Sequence, residues 1–146
     1  MIVRTMEPAD VPSYCALFRR VFAQPPWSEE WSLDAIGKEL GKTRARKGFI
    51  GLVAHDESDS AGFATGYRLR WLPAFYLEQL FVDDRRQKTG IGRALLLELF
   101  LRIDGLVILL TKQGSTAETF YIHNGFKRVL KVRFKGKILL YQWRRR

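Results

Sequence analysis

The run from Phe75 to Leu97 constrains the fold more than any other stretch of the chain. Phe75, Tyr76, Leu77, Leu80, Phe81 and Val82 are apolar or aromatic on both parities, as in a central strand covered on both faces. Glu78 and Gln79 interrupt it. A basic turn punctuated by Gly90 and Gly92 follows, and a leucine-rich helix runs on from Ile91 to Ile103. Strand, glycine turn and helix in that order make an anion site. The free N–H groups of the first helical turn point at the ligand, and the helix dipole favours negative charge there. Gln87 adds an amide donor, and Arg85, Arg86, Lys88 and Arg93 add positive charge.

The remaining segments set this unit in a layered domain. Ile2 to Thr5 reads as a strand, and Asp10 and Pro12 open an amphipathic helix over Val11, Tyr14, Cys15, Phe18, Val21 and Phe22. Pro25-Pro26 ends it. Ser32 caps a second helix from Leu33 to about Leu40, which Gly41 and the basic run after it close. Phe49–His55 and Ala61–Leu69 form a hairpin around Asp56-Glu57-Ser58-Asp59, and Pro73–Val82 is the central strand. Leu106–Thr111 is a short apolar strand. Ser115 or Thr116 caps a helix that ends at Asn124-Gly125, and Phe126–Phe134 and Ile138–Trp143 make a last hairpin around Lys135-Gly136-Lys137. The order β-α-α-β-β-β-α-β-α-β-β implies an α/β fold, a mixed central sheet with helices on both faces, in one domain spanning 1–146.

Composition narrows the function class. With 47% hydrophobic and 13% aromatic residues the chain can bury a core, which argues against disorder. A single cysteine, Cys15, allows no internal disulfide, and it falls on the core side of the first helix. No segment is long and apolar enough to span a bilayer, and the N-terminus lacks a signal-peptide core, so the expected location is the cytoplasm. No His, Cys or Asp spacing implies a metal. The formal charge is +10, and Lys127 to Arg146 carries nine basic residues and no acidic one. Lys42, Arg44, Arg46 and Lys47 form a second cluster. Such a field attracts nucleic acid, acidic substrates or a phosphate-rich cofactor, or is simply a solvated basic surface.

Gln87-Lys88-Thr89-Gly90-Ile91-Gly92 fits the Gln/Arg-x-x-Gly-x-Gly/Ala signature of the GNAT (GCN5-related) N-acetyltransferase superfamily. Phe120-Tyr121-Ile122-His123-Asn124-Gly125-Phe126 resembles that family's Phe-Tyr-x-x-x-Gly-Phe motif. The likeness runs over essentially the whole chain. It implies an acyltransferase that uses acetyl-CoA as co-substrate. Gln87, Lys88, Thr89, Gly90, Ile91, Gly92 and Arg93 would hold the CoA pyrophosphate, and Leu80, Phe81 and Val82 would pair with the pantetheine arm. Two positions depart from the family pattern. The frequent CoA-contacting asparagine is Gly114 here, which would move that contact to Gln113 or Ser115, and the glycine after the Gln/Arg position is Lys88.

The implied reaction is direct attack of an amine on the thioester. An alkylamine is mostly protonated at neutral pH, so a base must take a proton. Glu78 is the candidate, a carboxylate in an apolar strand with the parity of Tyr76, Leu80 and Val82. A buried ion pair with an arginine, or a base acting through waters, are the alternatives. A free amide near Leu80 to Val82 would meet the oxyanion. Tyr121 would protonate or hydrogen-bond the leaving sulfur, or else only pack. Trp27 and Trp31, with Tyr76, would line the acceptor site, or the tryptophans only anchor their loop. The acceptor expected first is a small-molecule amine. A protein amine, an aminoacyl-tRNA, a non-catalytic CoA- or nucleic-acid-binding module, and a homodimer through the C-terminal hairpin stay open.

Overall fold

The computed structural model describes residues 1–57 and 59–144, those of 130–134 by their backbone alone. Ser58 of the expected polar turn, the side chains of Lys131 and Arg133, and Arg145 and Arg146 of the basic tail lie outside the described residues. The elements are β1 (Ile2–Thr5), α1 (Val11–Phe22), α2 (Leu33–Arg44), β2 (Ile50–His55), β3 (Ser60–Arg68), β4 (Ala74–Val82), α3 (Ile91–Phe100), β5 (Gly105–Lys112), α4 (Thr116–His123), β6 (Lys127–Phe134) and β7 (Lys137–Arg144), with a short 3-10 turn at Pro8–Asp10. This is the expected order. The strands form one seven-stranded sheet, β1-β2-β3-β4-β5-β7-β6, antiparallel throughout except between β4 and β5.

Two cores sandwich the sheet. Leu95, Leu96 and Leu99 of α3 and Tyr121 of α4 pack with Phe75, Leu77, Val107, Leu109, Ile138 and Leu140 on one face. On the other, Tyr14, Phe18 and Val21 of α1 and Ile36 and Leu40 of α2 pack with Val53, Phe63 and Phe81. The second core is aromatic: Tyr14 meets both Phe63 and Phe81 edge-on at 5.1 Å. Each such buried ring contributes about 1.5–3 kcal/mol.

Several element ends differ from expectation, for physical reasons. Asp10 stands at the N-cap of α1 without capping it. Its carboxylate instead takes both Arg4 η-nitrogens at 2.8 and 2.9 Å and the Glu7 N–H at 2.7 Å. Ser32 caps α2 as expected, accepting from the Ala35 N–H. That helix does not stop at Leu40: it runs through Gly41 to Arg44. Leu40 and Thr43 are buried, and Lys42 and Arg44 suit the negative end of the dipole, so packing overrides the glycine. The helix α3 ends at Phe100, short of Ile103, and leaves Leu97 and Leu101 exposed, so it has an outer face despite its leucines.

The feature that positions the site is a bulge in β4. Thr65 of β3 stands opposite Gln79, but Gly66 stands opposite Leu77, which leaves Glu78 without a partner. A bulge of one residue resets the side-chain alternation. Phe75 and Leu77 face the α3 core before it, and Leu80 and Val82 face the same core after it. Phe81 faces the aromatic core. Glu78 therefore does not share a face with Leu80 and Val82, contrary to the period-two reading. The bulge needs a glycine across from it, since a Cβ at Gly66 would overlap the Tyr76 carbonyl and come within 2.6 Å of the Phe75 ring.

The pairing of β4 with β5 covers only Ala74, Phe75 and Tyr76. Beyond Tyr76 the strands diverge, while β5 stays paired to β7 as far as Lys112. The edge of β4 from Leu77 onward is open on that side.

Gly66→Ala should lower stability by about 1–3 kcal/mol, the usual cost of overpacking. In a denaturant titration the midpoint should fall; an unchanged midpoint would show that the bulge tolerates a side chain at 66.

Candidate functional site

The turn between β4 and α3 is held by its own acids. Asp83 is buried, and its carboxylate takes the Arg85 N–H at 3.0 Å and the Arg85 guanidinium at 3.0 and 3.2 Å. Arg20 of α1 reaches the same carboxylate at 2.8 Å and Asp84 at 3.0 Å. Although burial opposes its charge, these donors hold the Asp83 carboxyl well below the usual range. Arg86 pairs with Asp56 of the β2–β3 turn at 2.6 Å. The Thr89 hydroxyl donates to the Arg86 carbonyl. Arg85 and Arg86, expected to add positive charge to the anion site, thus clamp the turn.

What the clamp leaves free is backbone. Gly90 takes a left-handed conformation (φ 88°) at the N-cap of α3, where no side chain caps the helix. A Cβ there would meet nothing within 4 Å, so it is the dihedral that calls for glycine. The first bond of α3 runs from the Ala94 N–H to the Gly90 carbonyl. Among the described residues the N–H groups of Lys88, Gly90, Ile91, Gly92 and Arg93 have no backbone acceptor. Converging donors at a helix start form an anion cradle. Gly92 serves packing, since a Cβ would lie 3.2 Å from the Phe120 ring. The Gln87 amide donates to the Val82 carbonyl at 3.3 Å, tying the cradle to the strand.

The same bond marks which groups of β4 face the gap. The Asp83 N–H donates to the Ala61 carbonyl of β3 at 2.8 Å. Antiparallel bonding alternates, so Phe81 and Gln79 bond to β3, and Leu80 and Val82 turn their N–H and C=O groups away from it, towards the open side. Among the described residues the Leu80 backbone and the Val82 N–H are free for a ligand's amides, whereas the Val82 carbonyl is held by Gln87, and Phe81, expected with them, has its backbone tied to β3 and its ring in the core.

Glu78 points to the α1/α2 side. It lines a cavity of ≈ 60 Å³ with Tyr14, Phe18, Trp31, Glu39 and Thr43. The Thr43 hydroxyl lies 2.9 Å from the Glu78 carboxylate and 3.1 Å from the Glu39 carbonyl. One hydroxyl proton serves only one of them at a time. Burial pushes the Glu78 carboxyl up, and Glu39 adds to the push. Thr43 and Arg46 pull against it. The glutamate is thus a proton acceptor with its carboxyl raised from the ordinary value, and among the described residues it has no arginine ion pair.

Tyr121 is buried on α4 between Phe120 and Phe126, at 5.3 and 5.5 Å. Burial, with Tyr76 nearby, pushes its hydroxyl well above the usual phenol range, so it is a neutral donor. Among the described residues its hydroxyl makes no hydrogen bond.

The structure brings Trp31 to Glu78 but not Trp27, whose ring packs on Phe22 at 5.4 Å. Tyr76 sits beside Tyr67 at 5.6 Å, outside the cavity. The Ser115 hydroxyl is committed to the Glu118 N–H and the Lys112 carbonyl, which leaves only Gln113 of the two substitutes for the missing asparagine. Thr43, Tyr14 and Glu39 were not expected. The signal for Thr43 lay in its spacing of three from Leu40, one turn along the buried side of α2.

A family model described as an acetyltransferase (GNAT) domain matches residues 47–128. No curated protein matches the chain by sequence. Solved structures match it over nearly their whole length. A ribosomal-protein-alanine N-acetyltransferase from Brucella melitensis is 21% identical with a TM-score of 0.76, over 98% of this chain and 99% of that one. The PaiA N-acetyltransferase from Thermoplasma acidophilum, in complex with coenzyme A, is 18% identical with a TM-score of 0.76, over 97% and 98%. An aminoglycoside 6'-N-acetyltransferase complexed with coenzyme A is 19% identical with a TM-score of 0.78, over 97% and 96%. At such identities these likenesses speak for the fold.

Asp83→Asn should cost about 1–3 kcal/mol at neutral pH, since it breaks charged hydrogen bonds at a buried site. A carboxyl depressed in the folded state adds stability above its unfolded value of about 3.9, lost as pH falls through the folded value. The gap between parent and variant in unfolding experiments should therefore close as pH drops below about 4; a gap independent of pH would refute the clamp.

Proposed function

The chain belongs to the GNAT acetyltransferase family, and from that premise we propose that it acetylates the primary amine of a small molecule by direct attack in a ternary complex. The acyltransferase activity and acetyl-CoA as co-substrate come with the family. The observation that carries the finer reading is the bulge, which turns Glu78 out of the strand and into the Trp31 cavity beside the open edge of β4. The whole of residues 1–146 acts as one acetyltransferase domain.

The residues fit acetyl-CoA. When bound, it supplies an activated acetyl carbonyl and a thiolate leaving group. The unpaired N–H groups from Lys88 to Arg93 hold its pyrophosphate, with Lys88 and Arg93 adding charge, and the outward amides of Leu80 and Val82 meet its amide-bearing arm. One of those N–H groups meets the charge that grows on the carbonyl oxygen.

The acceptor arrives as an ammonium. Glu39 and Glu78 attract it, and Tyr14, Phe18 and Trp31 give it aromatic surface. The cavity takes the end of an amine, which supports a small acceptor. Glu78 removes one proton from the ammonium, the free amine forms the C–N bond, the C–S bond breaks, the Tyr121 hydroxyl gives its proton to the departing sulfur, and the second nitrogen proton restores that hydroxyl by way of solvent. Thr43 positions Glu78 and steadies its charged form.

Release of CoA thiol from acetyl-CoA with a diverse panel of amines tests the reading. Glu78→Gln should lower kcat by about 10²–10⁴-fold, with the acetyl-CoA thermal shift retained. Unchanged turnover would remove Glu78 from the mechanism. Binding without acetylation of any amine would make the chain a CoA-binding module.

The pH profile tests Thr43. The rate should rise with pH as Glu78 loses its proton, with the midpoint above the ordinary carboxylate range. Thr43→Val removes a bond that favours the charged form, so this limb should move to higher pH, and Thr43→Ser should return it. A limb that stays in place would leave Thr43 a packing residue only.

A further inference from the structure

The helices leave one part of the sheet bare. Val107, Leu109, Ile138 and Leu140 point into the core under α3 and α4. The alternate residues of β5 and β7 therefore face the α1/α2 side. Both helices pack there on β2, β3 and β4, and the aromatic core includes no described residue of β5, β6 or β7. Trp143 on this bare face is 61% exposed, Tyr141 and Leu139 are half-buried, and Lys127 stands opposite Tyr141 on β6. Lys137 is exposed at the other end. The three strands contain no aspartate or glutamate.

We infer that this bare face is a docking surface for single-stranded nucleic acid, with Trp143 and Tyr141 stacking on bases and Lys127 and Lys137 meeting phosphates. An exposed ring and a half-buried one on an open sheet, beside lysines, are the chemistry that holds unpaired bases, because every base has a π-face and every linkage a charge. Tyr141 and Trp143 are two residues apart on β7, so about 7 Å separates their anchor points on one face. A second copy of the chain is a poor occupant, since it would bring an equally acid-free face against this one.

The face also leads to the candidate site. Tyr76 stands opposite Ile108, Ile108 opposite Tyr141, and Tyr141 opposite Lys127, in one row across four strands. A docked strand thus runs towards the Glu78 side of β4. The Lys112 ammonium, at the far end of β5, donates to the Pro26 carbonyl, so the α1–α2 loop borders the face there. The docking does not depend on acetyl transfer.

Fluorescence anisotropy with the full chain and a labelled oligouridylate of about 15 nucleotides tests this. Binding should be clear near 50 mM salt and fall by more than about tenfold by 200 mM. Trp143→Ala should weaken it by about tenfold, and Trp143→Phe by much less. Lys127→Glu should weaken it more than Lys42→Glu, an equal charge change on α2 away from the face. Circular dichroism should show each variant folded, as expected at exposed positions. Absence of binding at low salt, a Trp143→Ala variant within twofold of the parent, or equal competition by an oligoglutamate of matched charge would each overturn the inference, the last in favour of an acidic peptide.

Discussion

Everything in this molecule that can do chemistry depends on how briefly β4 and β5 pair. Three residues of each strand bond, and then the strands part. A continuous ladder would have satisfied the outward amides of Leu80 and Val82 and closed the gap between the strands. Because the ladder stops at Tyr76, backbone groups that would otherwise need a partner stay available within the layered fold, beside a helix start whose amides are also unpaired. The bulge at Glu78 adds to this break. It turns a carboxylate to the α1/α2 side, and it lets the β4 residues before and after it fill the same core.

Charge is divided among tasks in a way that composition hides. The arginines nearest the cradle are ligands of acids: Arg20 and Arg85 of Asp83, and Arg86 of Asp56. They shape the turn and leave N–H groups at the start of α3 without a backbone acceptor among the described residues. The charge of β6 and β7 instead borders a bare sheet face. A formal charge of +10 thus has at least two structural meanings, one internal and one turned outward.

Much of the fold was legible because apolar periodicity and caps act locally. Ser32 and Ser115 cap the helices they were expected to cap, and Lys135-Gly136 turns the last hairpin with both residues at positive φ. The errors have one character: a tertiary contact outweighs a local signal. Gly41 lies inside α2 because Leu40 and Thr43 are buried around it. Glu78 stood out as a carboxylate in an apolar strand, but its face was misassigned, since strict alternation has no room for a bulge. Gly66, in the middle of β3, was the clue. Arg86 was counted with the positive charge of the anion site, but Asp56 of the β2–β3 turn holds it.

By itself, the sequence determined the order of elements, the glycine turn between β4 and α3, the Tyr121 helix, and so the family. These rest on spacing and on the dihedral needs of single residues, which are written along the chain. Only the tertiary structure decided that β4 leaves β5 after three residues, that Glu78 meets Thr43 from a helix 35 positions away, and that the basic strands bare one face. Those outcomes depend on which surfaces are covered once the layers pack, and coverage is a property of the whole fold.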